Sequence, residues 1–264
     1  MTEVVEPGSL ESRLRAVRAK GRKALVPYVS GGISDDWLDV VRAAADAGAD
    51  AIEIGIPFSD PVMDGPTIQA ASQRSLDRGT TPVGIFGALA DLDAGVPLVA
   101  MTYYNLVFRA GHRRFARSLV DAGVAGAIVP DLCLEELGDW ERAAVDAGIE
   151  TVLLAAPVTP DDRLAELCRR SRGFIYGVSV MGVTGERQAL ATSAGILAKR
   201  LKAVTDKPVI VGFGISGPAQ AIEAATESDG VVVASALMRL VLDGGGPTEV
   251  GASVAALRRA LDGG

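Results

Sequence analysis

Asp46-Ala47-Gly48-Ala49-Asp50-Ala51-Ile52-Glu53-Ile54-Gly55-Ile56 reads as a helix end, a glycine and an apolar strand in direct succession. Upstream, Trp37, Val40, Val41 and Ala44 recur at three- and four-residue spacing, the period of a helix with one buried face. Gly48 suits the left-handed backbone just past a helix C-terminus. The phrase returns. Asp93-Ala94-Gly95 precedes Pro97-Leu98-Val99-Ala100-Met101, Asp121-Ala122-Gly123 precedes Ala127-Ile128-Val129, and Asp146-Ala147-Gly148 precedes Val152-Leu153-Leu154. Four further apolar runs begin at Ala24, Gly173, Pro208 and Gly230, which brings the strands to eight. Continuous apolar strands alternating with helices indicate a parallel sheet covered by helices. Eight units within 264 residues fit an α/β fold of the closed (β/α)8 TIM-barrel type. An extra N-terminal helix precedes the first strand and a short helix follows the eighth. A doubly wound open sheet is the alternative. Composition does not shift along the chain and no linker divides it, so residues 1–264 read as a single barrel domain.

The chain is 48% hydrophobic and 22% charged, a globular composition. Its net charge of −7 argues against general binding to nucleic acid or anionic membranes, while leaving room for an anion site made of backbone N–H groups. Cys133 and Cys168 are far apart and read as reduced thiols of a cytoplasmic protein. His112 is the one imidazole and is expected on the surface at the start of a helix. With one histidine, a zinc site built on several imidazoles is excluded, and no metal site is expected. The acidic N-terminus lacks a signal-peptide pattern, and no apolar run has the length of a membrane span.

Glu53 is the exception inside an apolar strand. Side chains alternate between faces, so Ile52, Ile54 and Ile56 share one and Ala51, Glu53 and Gly55 the other. A buried, unpaired carboxylate shifts its pKa upward, which suits acid–base chemistry near neutrality. A structural ion pair with Lys or Arg is the competing reading. Barrel active sites lie at the C-terminal ends of the strands, and Glu53 stands near the end of strand 2. Asp60 and Asp64 follow in the loop Phe58 to Gln69, in contexts that also suit plain turns. Pro66 suits the first position of a helix. Met181 to Arg187, Gly212 to Pro218 and Ala234 to Leu237 are the loops after strands 6, 7 and 8. Their arrangement favours a phosphorylated ligand, against the reading that the glycines only permit tight turns.

Several runs resemble the α subunit of tryptophan synthase, from about Leu10 to Leu242. They are Glu53-Ile54-Gly55-Ile56-Pro57-Phe58-Ser59-Asp60-Pro61, Asp64-Gly65-Pro66-Thr67-Ile68-Gln69, Met101-Thr102-Tyr103-Tyr104-Asn105, Pro130-Asp131-Leu132, Gly182-Val183-Thr184-Gly185 and Gly212-Phe213-Gly214-Ile215-Ser216. The resemblance implies retro-aldol cleavage of indole-3-glycerol phosphate to indole and glyceraldehyde 3-phosphate. It implies Glu53 as general acid/base, Asp64 as hydrogen-bond acceptor for the indole N–H, and Tyr176 as the tyrosine beside Glu53. Tyr28, Tyr103, Ile128 and Phe213 match positions lining the indole pocket. Thr184 matches a loop residue that closes over the site and contacts Asp64. Gly185, Gly214, Ala234 and Ser235 match the phosphate site.

The implied partner is a β subunit in an α2β2 heterotetramer, with Asp60, Pro61 and Asp131 facing it. Pyridoxal phosphate is expected only in that subunit, and no cofactor in this chain. Ala234 departs from the family's usual Gly, Met63 from its usual Ala, and Cys133 from its usual Pro; Ser30-Gly31-Gly32-Ile33 replaces a Gly-Asp-Pro turn. A stand-alone indole-3-glycerol phosphate lyase is the nearest functional alternative, and a non-catalytic phosphate-ligand binder a more distant one. A Schiff-base aldolase is disfavoured, because Lys20, Lys23, Lys199, Lys202 and Lys207 all lie off the inward strand faces.

Overall fold

In the computed structural model, which describes residues 6–178, 187–212 and 214–263, eight parallel strands close into a barrel in the order β1 to β8. The strands are β1 (Ala24–Ser30), β2 (Ile52–Gly55), β3 (Leu98–Met101), β4 (Val124–Ile128), β5 (Glu150–Ala155), β6 (Ile175–Val178), β7 (Val209–Gly212) and β8 (Gly230–Val233). Closure is made by β1 on β8, with Val26 opposite Val232. The TIM-barrel expectation therefore holds over the open sheet.

The alternation inferred for β2 is the one observed. Ile52, Ile54 and Ile56 pack outward against the helices. Ala51 joins Val26, Val99, Ile128, Val152, Tyr176, Ile210 and Val232 in the barrel interior. Layers of side chains from alternate strands fill such an interior, so it is a packed core with reactive groups confined to its mouth.

The extra N-terminal helix, α1 (Ser9–Ala19), closes the opposite end. Leu10, Leu14 and Val17 enter the interior cluster from below. The buried Glu150 carboxylate accepts from Leu10 N at 2.8 Å and Glu11 N at 3.1 Å, two of the free donors of the helix N-terminus. The short helix after β8 is α2 (Ser235–Leu242). The helix carrying Pro66 at its first position is α3 (Pro66–Asp77).

Two local expectations need correction. Gly148 does cap a helix in the left-handed conformation, at φ 83°. Gly95 does not, because its helix ends at Ala90; its N–H instead meets Asp93 Oδ1 at 3.0 Å in a side-chain-closed turn. His112 is half-buried, stacked on Tyr104 at 5.8 Å with Nε2 3.0 Å from the Tyr104 hydroxyl. A neighbouring aromatic ring gave it a better surface than water. Cys133 is exposed and Cys168 buried, both as free thiols.

Candidate active site

Strand β2 delivers Glu53 to the barrel mouth at 1% exposure, opposite Tyr28 of β1 and Val99 of β3. Its Oε2 is buried with no hydrogen-bond partner, and no Lys or Arg pairs with Glu53 among the described residues. The ion-pair reading therefore fails. Burial, reinforced by the charge of Asp64, raises its pKa to about 8.

Asp64 follows through a loop whose backbone is tied down locally. Asp64 N donates to Pro61 O at 3.0 Å, and Gln69 Nε2 donates to Asp64 O at 2.9 Å. Tyr103 completes the hold: its hydroxyl accepts from Met63 N at 2.9 Å and lies close enough to the Asp64 carboxylate to favour its charge. The Tyr103 ring stacks on Phe58 at 5.1 Å, which fixes its direction. Burial lifts the Asp64 pKa to about 6, and the Tyr103 hydrogen bond moderates the rise. At neutral pH the pair thus holds Glu53 as the acid and Asp64 as the anion, two carboxyl groups separated by their surroundings.

Both carboxylates face one cavity of 190 Å³, lined also by Tyr28, Tyr176, Met101, Pro130 and Leu154. An aromatic and aliphatic wall of this kind suits a flat apolar ring. Ile128, paired with Met101 across β3 and β4, is fully buried in the interior cluster, and Pro130 provides the wall on that side. Two glycines seat the inward tyrosines. A Cβ on Gly55 would come within 1.8 Å of the Tyr28 hydroxyl oxygen, and one on Gly212 within 2.7 Å of the Tyr176 hydroxyl oxygen. Each tyrosine therefore lies over the backbone of the next strand. Burial, and then the neighbouring carboxylates, keep both phenols protonated.

A second cavity, of 440 Å³, adjoins the first through the shared lining residues Tyr176, Gly212 and Ala234. Its wall includes Gly214, Ser216, Ser235 and the opening turn of α2. The first backbone N–H groups of that helix have no intrahelical acceptors, and they present a positive dipole end. Ala234 has φ −114°, a value open to any L-residue, so its methyl group brings no backbone strain. Arg239 also lines this cavity, a residue that sequence reasoning missed. Among the described residues neither cavity is lined by a lysine.

The remaining positions are more dispersed. Asp60 is exposed at the loop tip, where Ser59 Oγ donates to it, and Pro61 is half-buried beside it. Asp131 is exposed after β4, and its Oδ1 accepts from Tyr104 N at 2.8 Å at the start of the helix Tyr104–Ala110. Thr184, Gly185 and Phe213 lie outside the described residues.

Known proteins match this chain over nearly its full length. The family model described as tryptophan synthase alpha chain matches residues 14–259. A tryptophan synthase alpha chain of Thermobifida fusca (strain YX) is 44% identical over 240 residues, 89% of each chain. One of Halorhodospira halophila is 41% identical over 262 residues, 96% of each. A solved tryptophan synthase from M. tuberculosis superposes with a TM-score of 0.88 at 36% identity, covering 97% of this chain and 99% of that one. With the match running from the first helix to the last, and the paired carboxylates standing at the mouth of the barrel, this chain belongs to the tryptophan synthase alpha chain family.

Proposed function

We propose that Glu53, Asp64 and Tyr176 carry out the reaction of this family, the retro-aldol cleavage of indole-3-glycerol phosphate to indole and glyceraldehyde 3-phosphate in L-tryptophan biosynthesis. The observation that carries the assignment is the pair of carboxyl groups in one cavity, with pKa values of about 8 and about 6. Protonated Glu53 gives its proton to C3 of the indole, and the ring becomes a cation at nitrogen. Asp64, ionised, accepts the hydrogen bond of that N–H and stabilises the charge as it develops. The Glu53 carboxylate then takes the proton of the side-chain hydroxyl. The bond from C3 to the side chain breaks, its electrons return to the ring, and the hydroxyl carbon becomes the aldehyde. The proton lost from Glu53 is recovered within the same turnover. Tyr176, beside the carboxylates, fixes the ring against them.

The phosphate of the substrate is assigned to the larger cavity, against the N–H groups at the start of α2 and beside Gly214 and Ser235. Gly185 completes that site on sequence grounds, and Thr184 and Phe213 complete the pocket. Tyr28, Tyr103 and Ile128 shape the wall. No cofactor is required of this chain, because the protonated ring is itself the electron acceptor. The partner is a β subunit carrying pyridoxal phosphate in a cytoplasmic α2β2 assembly. Asp60, Pro61 and Asp131 lie on the rim that faces it, and the 63% exposed Phe108 offers the rim an apolar contact.

The test is indole release from indole-3-glycerol phosphate by the purified chain, alone and with titrated β subunit. Turnover that rises severalfold with β subunit supports the reading. Turnover of roughly 1–10³ per second alone, changed less than twofold by β subunit, identifies a stand-alone lyase instead.

A further inference from the structure

We propose that Arg239 is the residue that selects a phosphate dianion over an uncharged chain end in the larger cavity. The inference rests on the assignment of that cavity to the phosphate. Arg239 lies four residues after Ser235 in α2, so the two share one face of the helix. Both line the cavity, and Arg239 is the only charged side chain among the described residues that do.

Arg239 is held but not neutralised. Its Nη2 donates to Thr67 Oγ1 at 2.9 Å, in the first turn of α3. No carboxylate pairs with it among the described residues, whereas Arg163, Arg170, Arg200 and Arg258 all form ion pairs. A guanidinium has five N–H donors in a rigid fork. Thr67 engages one and sets the direction, and the neutral hydroxyl leaves the full positive charge for an incoming anion. Arg74 ties the same two helices at the other end, its Nη1 donating to Val241 O at 3.1 Å and Leu242 O at 3.3 Å. Arg239 is therefore fixed relative to α3, the helix that follows directly on Asp64. Charge recognition at one cavity and the position of the carboxylate in the other share one scaffold.

The experiment measures binding of glycerol 3-phosphate and, separately, of indole to the full chain by calorimetry, for wild type, Arg239→Gln, Arg239→Lys and Thr67→Val. Arg239→Gln should weaken glycerol 3-phosphate roughly tenfold, a moderate loss for a charge-assisted contact at an exposed position. Indole binding should stay within twofold. Arg239→Lys should recover most of the loss, because charge is retained. Thr67→Val should weaken the anion severalfold by loosening the fork. In turnover of indole-3-glycerol phosphate, Arg239→Gln should raise KM more than it lowers kcat. The inference is overturned if Arg239→Gln binds glycerol 3-phosphate within twofold of wild type, if the Lys and Gln variants lose it equally, or if indole is lost in parallel. A wild-type chain that binds glycerol 3-phosphate through Arg239 yet cleaves no indole-3-glycerol phosphate supports the inference and refutes the proposed reaction.

Discussion

Glu150 and Glu53 are both 1% exposed, at opposite ends of the same barrel, and their surroundings differ completely. Glu150 accepts two backbone N–H groups of α1. Asp50 and Asp229, buried at the same end, are satisfied too. Asp50 accepts from Leu25 N at 3.1 Å and pairs with Arg258, while Asp229 accepts from Val209 N at 2.9 Å and pairs with Lys202. Glu53 at the other end keeps an oxygen with no partner among the described residues. A buried polar group without a hydrogen bond costs stability, so one end of the barrel is built for cohesion and the other retains a costly group, the one to which the proposed function gives the proton transfer. The difference teaches that burial alone does not distinguish a structural carboxylate from a reactive one; the count of its donors does.

The sharpest way to break this comparison is to exchange each glutamate for glutamine. Glu53→Gln should fold and lose about 10² to 10⁴ in cleavage rate, the usual contribution of a positioned acid/base. Glu150→Gln should keep its rate per folded molecule. If Glu53→Gln retains more than about a tenth of the rate, the reactive end has been misassigned. Asp64→Asn should come next, with kcat lowered about 10² to 10³, as for removal of a transition-state electrostatic contact, while glycerol 3-phosphate still binds.

Truncation at the cohesive end should appear in stability instead. Glu150→Ala leaves Leu10 N and Glu11 N without acceptors and should cost about 1–3 kcal/mol in chemical denaturation. An unchanged midpoint would show that α1 does not depend on this carboxylate.

Titration sharpens the contrast. The proposed reaction needs Asp64 ionised and Glu53 protonated, so kcat/KM should rise through about pH 6 and fall through about pH 8. Stability gives an independent reading of the same group. The Glu53 pKa is raised from 4.5 unfolded to about 8 folded. Between these values the folded state binds the extra proton, so stability falls as pH rises through that window. The melting temperature of Glu53→Gln should therefore gain on wild type from pH 5 to pH 8. Parallel curves would mean that Glu53 ionises freely in the folded protein.

The smallest effect is expected at Ala234. Its backbone is unstrained, so Ala234→Gly should leave glycerol 3-phosphate binding equal or slightly tighter. Weakening beyond threefold would show that the methyl group contributes to the cavity wall.

Glu53 was legible in the sequence because a charge inside an apolar strand conflicts with its local pattern, whereas Asp64, in a loop where an Asp-Gly pair suits a plain turn, was singled out only by the family resemblance. The barrel was legible because helix, glycine and strand recur, and strand alternation correctly placed Glu53 inside. Ile128 was matched to the pocket only through the family resemblance, and it lies fully buried in the barrel interior, level with Met101 of β3. Which residue stands beside it is set by the register of β3 and β4, which is irregular between Leu98 and Val99. His112 escaped for a related reason, since the ring that half-buries it belongs to the preceding helix.

Sequence by itself determined the periodicity, the glycine that caps at Gly148, the inward face of β2 and the presence of Glu53 on it. All of these depend on residues within a turn or a strand of one another. Only the tertiary structure decided which groups have partners. Leu10 meets Glu150 across 140 residues, Thr67 meets Arg239 across 172, and Tyr103 reaches back 40 residues to hold the loop before Asp64. Barrel closure brings these positions together, and the presence or absence of a hydrogen-bond donor at each meeting point sets whether a buried charge is neutralised, oriented or left reactive.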